Sequence, residues 1–182
     1  VYGFKGCAPW GKLDAFKFLC PAPGYDRHFA ISQAFGAELV LIPMTDGGPD
    51  MDAVEEAVKD PAVKGIWCVP KYSNPTGVIY SDETIERFAS LKPAAEDFIV
   101  MWDNAYYVHE FEGEFKEIPN IFEVCEKYGS GDMFFEFCST SKITFPGAGI
   151  TAVASSEENI KYLTSKWMYQ TLGNDKINQL RH

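Results

Sequence analysis

The feature that most restricts this chain is the alternation of short, continuous apolar runs with stretches of helical periodicity. Leu39-Val40-Leu41-Ile42 is one run, Gly65-Ile66-Trp67-Cys68-Val69 a second and Phe98-Ile99-Val100-Met101-Trp102 a third. Apolar runs without polar alternation suit strands buried on both faces. Between them Met51, Val54, Ala57 and Val58, then Ile85, Phe88 and Leu91, recur at helical spacing. Such alternation means βαβ units and mainly parallel pairing. The expected fold class is therefore α/β, a mainly parallel sheet flanked by helices.

The remaining elements fit that frame. Residues 16–20 read as a short strand that Pro21-Ala22-Pro23-Gly24 stops. Residues 27–35 read as a helix with Phe29, Ile31, Ala34 and Phe35 turned inward and Gly36 as its stop. Asp46-Gly47-Gly48-Pro49 is a turn, and Asp50 opens the next helix. Ser81 is a helix N-cap, with Asp82 and Glu83 in the first turn. A helix near 119–128 carries Ile121, Val124 and Cys125 inward and ends at Gly129. Strands follow at 133–138 and 150–154. Ser155 with Glu158 reads as a capping box for a last helix that buries Ile160, Leu163 and Trp167. With no repeat, low-complexity tract or linker, residues 1–182 read as a single partial domain.

Composition narrows the function. At 182 residues, 46% of them hydrophobic, the chain has material for a real core, as one domain or a piece of a larger one. The formal charge of -10, from 26 acidic and 16 basic residues, argues against a nucleic-acid surface, and no Lys/Arg-rich run offsets it. No apolar stretch reaches membrane-spanning length. The opening Val1-Tyr2-Gly3-Phe4-Lys5 is not a signal peptide and lacks a starting methionine. Five cysteines, odd in number and never in a C-x-x-C pair, argue against a disulfide framework or a metal site. Cys20, Cys68 and Cys138 read as small buried hydrophobes in a reducing, cytoplasmic setting.

In open α/β sheets, ligands bind beyond the carboxyl ends of the strands. Four such ends carry polar, conformationally special segments: Pro23-Gly24-Tyr25-Asp26-Arg27-His28, Ser73-Asn74-Pro75-Thr76-Gly77, Asp103-Asn104-Ala105-Tyr106 and Ser139-Thr140-Ser141-Lys142. A parallel sheet puts them on one edge. An aromatic plane, an imidazole, an amide, a carboxylate, a phenol, hydroxyls and an amine then converge. That set suits an aromatic, phosphorylated, aldehyde-bearing cofactor: the amine forms an imine, the carboxylate keeps a ring nitrogen protonated, and the flat ring stacks. Each residue has a plainer alternative. These are a solvated surface lysine, a turn aspartate, a packing tyrosine, a turn asparagine and a structural histidine.

Taken in order, Ser-Asn-Pro-Thr-Gly, Asp-x-x-Tyr and Ser-x-Ser-Lys resemble the large domain of the fold-type-I pyridoxal-phosphate-dependent aminotransferases, the class I/II group with the aspartate aminotransferases. The bend Ser141-Lys142-Ile143-Thr144-Phe145-Pro146-Gly147 looks most like the MocR-like subgroup. The resemblance implies pyridoxal 5'-phosphate as cofactor and an amino acid and a 2-oxo acid as substrates, aspartate among them. It implies that Lys142 forms the imine and then moves the substrate proton. Asp103 pairs with the pyridinium nitrogen, and Tyr106 and Asn74 meet the phenolic oxygen. Tyr25 stacks on the ring, His28 supports Asp103 from behind, and Ser139 and Ser141 bind phosphate. It also implies that the Asn74-Pro75 peptide is cis.

The chain departs from the family in one motif and in its extent. Many relatives have Pro-Gly-x-Arg where this chain has Pro146-Gly147-Ala148-Gly149, so glycine stands in place of a phosphate-binding arginine, and Lys166 or Arg181 would have to substitute. The family's glycine-rich phosphate turn would lie upstream of Val1, and its small domain, with the arginine for the substrate carboxylate, beyond His182. The resemblance therefore implies an internal fragment, inactive alone, of a protein that works as a homodimer. Two other readings share the cofactor: a sensor domain of a transcription regulator, and a different reaction such as a β-lyase or decarboxylase.

Overall fold

The computed structural model describes residues 6–182; the opening stretch read above for a signal peptide lies outside them. In chain order the elements are β1 (Lys17–Ala22), α1 (Asp26–Ala34), β2 (Glu38–Thr45), β3 (Gly48–Pro49), α2 (Met51–Ala57), β4 (Val63–Cys68), α3 (Asp82–Ser90), β5 (Ile99–Asp103), α4 (Ile121–Glu126), β6 (Phe134–Ser139), β7 (Thr151–Ala154), α5 (Glu157–Trp167) and α6 (Lys176–Arg181). The strands form one seven-stranded sheet in the order β3-β2-β1-β4-β5-β6-β7. From β2 to β6 all neighbours are parallel; β3 and β7 pair antiparallel at the two edges. The α/β class expected from the sequence is the one found.

The strand order reverses between β1 and β4. The chain steps one way through α1 to β2, then returns through α2 past β1 to β4, and continues through α3 and α4. Right-handed crossovers therefore put α1 on one face of the sheet and α2, α3 and α4 on the other. The second face holds the main core. Phe88, Trp102, Ile85, Val54 and Phe134 are fully enclosed there, and each such side chain contributes about 1.5–3 kcal/mol by leaving water. Trp102 lies at its centre, with Tyr80, Phe88 and Phe134 edge-on at 5.7, 5.8 and 5.9 Å.

Local chemistry starts the helices of this face. The Asp50 carboxylate accepts from the amides of Asp52 and Ala53, and the Ser81 hydroxyl accepts from Thr84, which satisfies amides that a helix start leaves open. The Asn120 side chain does the same at Phe122.

The α1 face differs. Its apolar cluster is small, Phe16, Phe18 and Ala37 with Trp10 and Leu13 against it. Gly65 in β4 belongs here, because a Cβ at that position would meet the Phe18 ring at 2.5 Å and the Ile99 carbonyl at 2.7 Å.

Several local expectations need correction. In α1 the buried residues are His28 and Ser32, whereas Ile31 is 37% and Phe35 60% exposed. The helix turns polar groups inward because they find hydrogen-bond partners on the sheet. β1 runs through Pro21 to Ala22: its pairing with β4 ends at Leu19, so beyond that point only β2 flanks it and a missing N–H is tolerated. β2 is not buried on both faces, since Leu41 is 62% exposed. Ser156, not Ser155, caps α5. The Ser155 hydroxyl instead donates to the Phe134 carbonyl at 2.6 Å. That helix buries Asn159, while Trp167 stays exposed. Cys138 is exposed, unlike buried Cys20 and Cys68.

Candidate functional site at the carboxyl edge of the sheet

Because β1, β4, β5 and β6 are parallel neighbours, the four segments that follow them share one edge. Asp103 ends β5 with the same orientation as Met101, toward the α1 face. Its carboxylate Oδ2 accepts from His28 Nε2 at 3.0 Å, and Oδ1 accepts from the Ala105 amide at 3.2 Å. With a carboxylate as partner, Nε2 is the nitrogen that carries hydrogen.

His28 is held from two further directions. Its ring stacks on Trp67 at 4.3 Å with 6° between the planes, and Tyr25 stands edge-on to it at 5.2 Å. Trp67 Nε1 donates to Ser32 Oγ at 2.9 Å, and that hydroxyl donates to the His28 carbonyl at 3.0 Å. A buried polar chain in which each member has a partner holds a single arrangement. Trp67 and Ser32 were not singled out from the sequence. The available sign was a tryptophan in β4 two places from Gly65, and so on the same face of the strand.

The second half of the site lies across β5 and β6. Lys142 Nζ sits 4.1 Å from the centroid of the Tyr106 ring and 6.0 Å from that of Tyr25, within cation–π range of both. Asn74 Nδ2 approaches the Tyr106 hydroxyl at 3.5 Å, a long contact. The Asn74-Pro75 peptide is cis, as is Ala22-Pro23. Lys142 itself is exposed. A desolvated pocket for this amine is therefore not what the described residues provide; two rings flank it and the third side is open.

His109, also overlooked from sequence, stands edge-on to Tyr106 at 5.6 Å, with Nε2 3.3 Å from the Lys142 carbonyl. A cavity of about 580 Å³ opens over Asn74, Tyr106 and His109. Another, of about 510 Å³, lies beneath Ser139 and Thr140.

Ser139 and Ser141 face each other. Ser139 Oγ donates to Ser141 Oγ at 2.9 Å and accepts from the Ser141 amide at 3.1 Å. A Cβ on Gly149 would meet Ser141 Oγ at 2.9 Å, its amide nitrogen at 3.0 Å and Thr140 Oγ1 at 3.1 Å. Glycine at 149 thus keeps clear a small cradle of hydroxyls; the Ser141 amide is taken by Ser139, and the Ser141 hydroxyl, which accepts from Ser139, can donate to an anion such as a phosphate ester. Of the two cations considered as substitutes, Lys166 lies over the Tyr162 ring of its own helix and Arg181 donates to the Asn178 side chain.

The donor set fits a phosphorylated pyridine aldehyde. Amine, carboxylate, phenol, amide and hydroxyl cradle occupy one edge, and Tyr25 neighbours both the lysine and the histidine that bonds Asp103.

The same chain has well-defined relatives. The family model described as aspartate amino-transferase matches residues 1–182. An aspartate aminotransferase of Corynebacterium glutamicum is 48% identical over 174 residues, 96% of this chain and 40% of that protein. The crystal structure of an aspartate transaminase from the same organism superposes with a TM-score of 0.92 at 48% identity, over 94% of this chain and 41% of the other. The α-aminoadipate aminotransferase of Thermus thermophilus, solved with N-(5'-phosphopyridoxyl)-L-leucine, gives 0.74 at 25% identity, over 93% of this chain and 43% of that one. The chain thus spans about two fifths of the length of the curated relatives it matches.

Proposed function

The chain belongs to the aspartate amino-transferase family, and from that premise we propose that the protein carrying it is a pyridoxal 5'-phosphate-dependent transaminase. It moves an amino group between an amino acid and a 2-oxo acid. The observation that carries this reading is the convergence of two contact chains on one edge: Tyr25–His28–Asp103 on one side and Lys142–Tyr106–Asn74 on the other.

When bound, the cofactor supplies an aldehyde carbon and an electron-withdrawing ring. The chain's own residues divide the rest. Lys142 holds the aldehyde carbon through its amine and moves a proton at the substrate Cα. Asp103 keeps the ring nitrogen protonated, and His28, itself fixed by Trp67 and Ser32, keeps that carboxylate oriented. The Tyr106 hydroxyl and the Asn74 amide address the phenolic oxygen, with Asn74 also placing the substrate carboxylate. Tyr25 supplies the stacking ring. Ser139 and Ser141 receive the phosphate in the cradle that Gly149 leaves open.

Aspartate with 2-oxoglutarate is the substrate pair favoured by the 48% identity to an aspartate aminotransferase. Residues 1–182 form the core of the cofactor-binding domain, and the working protein is a cytoplasmic homodimer. The two-fifths share of the relatives' length supports assigning further parts to the rest of the protein.

The test is made on the full-length protein. Pyridoxal phosphate should give a visible absorbance band that Lys142→Ala abolishes. Aspartate should consume 2-oxoglutarate faster than other amino donors do. Absence of the band, or its survival in Lys142→Ala, overturns the cofactor reading. A different preferred donor overturns only the substrate.

A further inference from the structure

The proposed chemistry makes no use of Lys71, yet this lysine is only 1% exposed. Its amine pairs with Glu110 Oε1 at 2.5 Å and donates to the Tyr107 carbonyl at 2.9 Å. On another side the Phe115 ring centroid lies 3.8 Å away, with the rings of Tyr107 and Tyr72 at 5.0 and 5.4 Å. A carboxylate, a carbonyl and an aromatic face thus take up an ammonium that has three hydrogens to place. Enclosed in this way, the amine is out of reach of any carbonyl compound at the site.

Glu110 is engaged as fully. Besides Lys71, Oε1 accepts from the Lys116 amide at 3.1 Å, and Oε2 accepts from the Tyr72 hydroxyl. Lys71 and Tyr72 belong to the loop after β4, and Glu110 to the loop after β5. Asn74 and Tyr106 stand on these same two loops. Tyr72 also has φ 54°. A bulky residue keeps that left-handed conformation only where its surroundings over-determine it. Here its hydroxyl is tied to Glu110, its predecessor is enclosed, and Ser73 after it is buried, with Oγ donating to the Val69 carbonyl at 2.5 Å.

Resting on the site reading above, we propose that Lys71 and Glu110 are positioning residues. They form a clamp, its lysine buried and its carboxylate half-buried, that locks loop 70–77 against loop 104–118 and so sets the separation of Asn74 and Tyr106. They act on the reaction only through those two side chains. The long Asn74–Tyr106 contact is too weak to hold that separation by itself.

The experiment uses the full-length protein as wild type, Lys71→Met, Glu110→Gln, the double variant, Tyr72→Phe, and Lys142→Ala as a control on the site itself. Each clamp single variant should lower kcat by roughly tenfold or more, since small displacements of a positioned group are costly, with a smaller rise in KM for the amino acid through the displaced Asn74. The double variant should be no worse than the poorer single one, as expected for two members of one interaction. The pH midpoint of the bound cofactor's visible band should move in every clamp variant. In the cofactor-free protein, amide exchange should rise in residues 70–77 and 104–118 and stay unchanged in β4 and β5.

Tyr72→Phe removes a single hydrogen bond and keeps the test open should Lys71→Met fail to fold; it should move the midpoint the same way, by less. An unmoved midpoint and unchanged kcat in Glu110→Gln and Tyr72→Phe, with only the melting temperature lowered, overturns the clamp. If Lys142→Ala keeps the visible band, the site reading falls and this proposal with it. Loss of that band alongside an inert Glu110→Gln overturns the clamp alone.

Discussion

The two faces of the sheet are built on different principles. Toward α2, α3 and α4 the sheet presents Trp102 and Phe134, and those helices answer with Val54, Ile85 and Phe88, all fully enclosed and apolar. Against α1 it presents Trp67 and Asp103, and the helix answers with His28 and Ser32 while Ile31 and Phe35 face outward. One face is stabilised by removing hydrocarbon from water; the other gives up much of that gain to orient one carboxylate. Stability and chemistry are thus carried by opposite sides of the same strands. Trp102 and Asp103, consecutive in β5, point to the two different tasks.

That contrast is open to direct attack. On the core face, Phe88→Ala should cost about 3–5 kcal/mol, measured by denaturant unfolding. It should leave the kinetic constants of the surviving folded protein nearly intact. On the other face, Asp103→Asn should lower kcat/KM by roughly 10²–10³-fold with little change in unfolding midpoint. Comparable stability losses from both substitutions would erase the distinction.

A smaller effect sharpens it. His28→Ala should reduce kcat/KM by about tenfold, through a carboxylate that has lost one of its two hydrogen-bond donors. Trp67→Phe keeps an aromatic plane but loses the indole N–H, and should cost about 1 kcal/mol in stability, together with a weaker form of the same kinetic defect. A Trp67→Phe protein with normal kinetics would show that the polar chain does not reach the reaction.

The smallest effect is an acid-limb slope. Lys71 first, then Tyr72, hold the Glu110 carboxyl well below its usual value of 4.5, to about 2. The folded state therefore binds fewer protons than the unfolded state between those values, so stability rises with pH across the window. The contribution is fully present above about pH 4.5 and is lost as pH falls toward 2. Glu110→Gln should flatten the stability slope there without abolishing it, since Asp60 and Glu86 are also depressed, chiefly by hydrogen bonds from the Ala62 amide and the Tyr128 hydroxyl. An unchanged slope would show that the pair carries no linkage to folding.

What could be read in the sequence was whatever local pattern encodes. Continuous apolar runs marked β4 and β5, the spacing of Ile85, Phe88 and Leu91 marked α3, and a hydroxyl before two acids marked its cap. The candidate site was legible because a parallel sheet gathers strand ends on one edge, so four separated segments could be assigned a common neighbourhood.

What escaped notice depends on pairs distant in sequence. Nothing near His28 announces that Trp67 will lie flat against it, or that burying Ser32 is favourable once an indole N–H arrives. The apolar Ile31 and Phe35 outvoted them in a local reading. Lys71 and Glu110 are ordinary charges until two loops bring them together. Ser155 and Ser156 both suit a helix start, and only the Phe134 carbonyl, taking one of them, decides which becomes the cap.

Gly65 carries a last consequence, for how such a sequence can drift. A methyl there would strike both an aromatic side chain, Phe18, and a main-chain carbonyl, that of Ile99. A smaller residue at 18 could relieve the first collision; no exchange of side chains relieves the second, because the obstacle is the neighbouring strand itself. Compensatory substitution is therefore closed at this position. Any lineage or engineered library built on this scaffold should retain glycine at 65, for reasons of strand spacing that have nothing to do with the reaction.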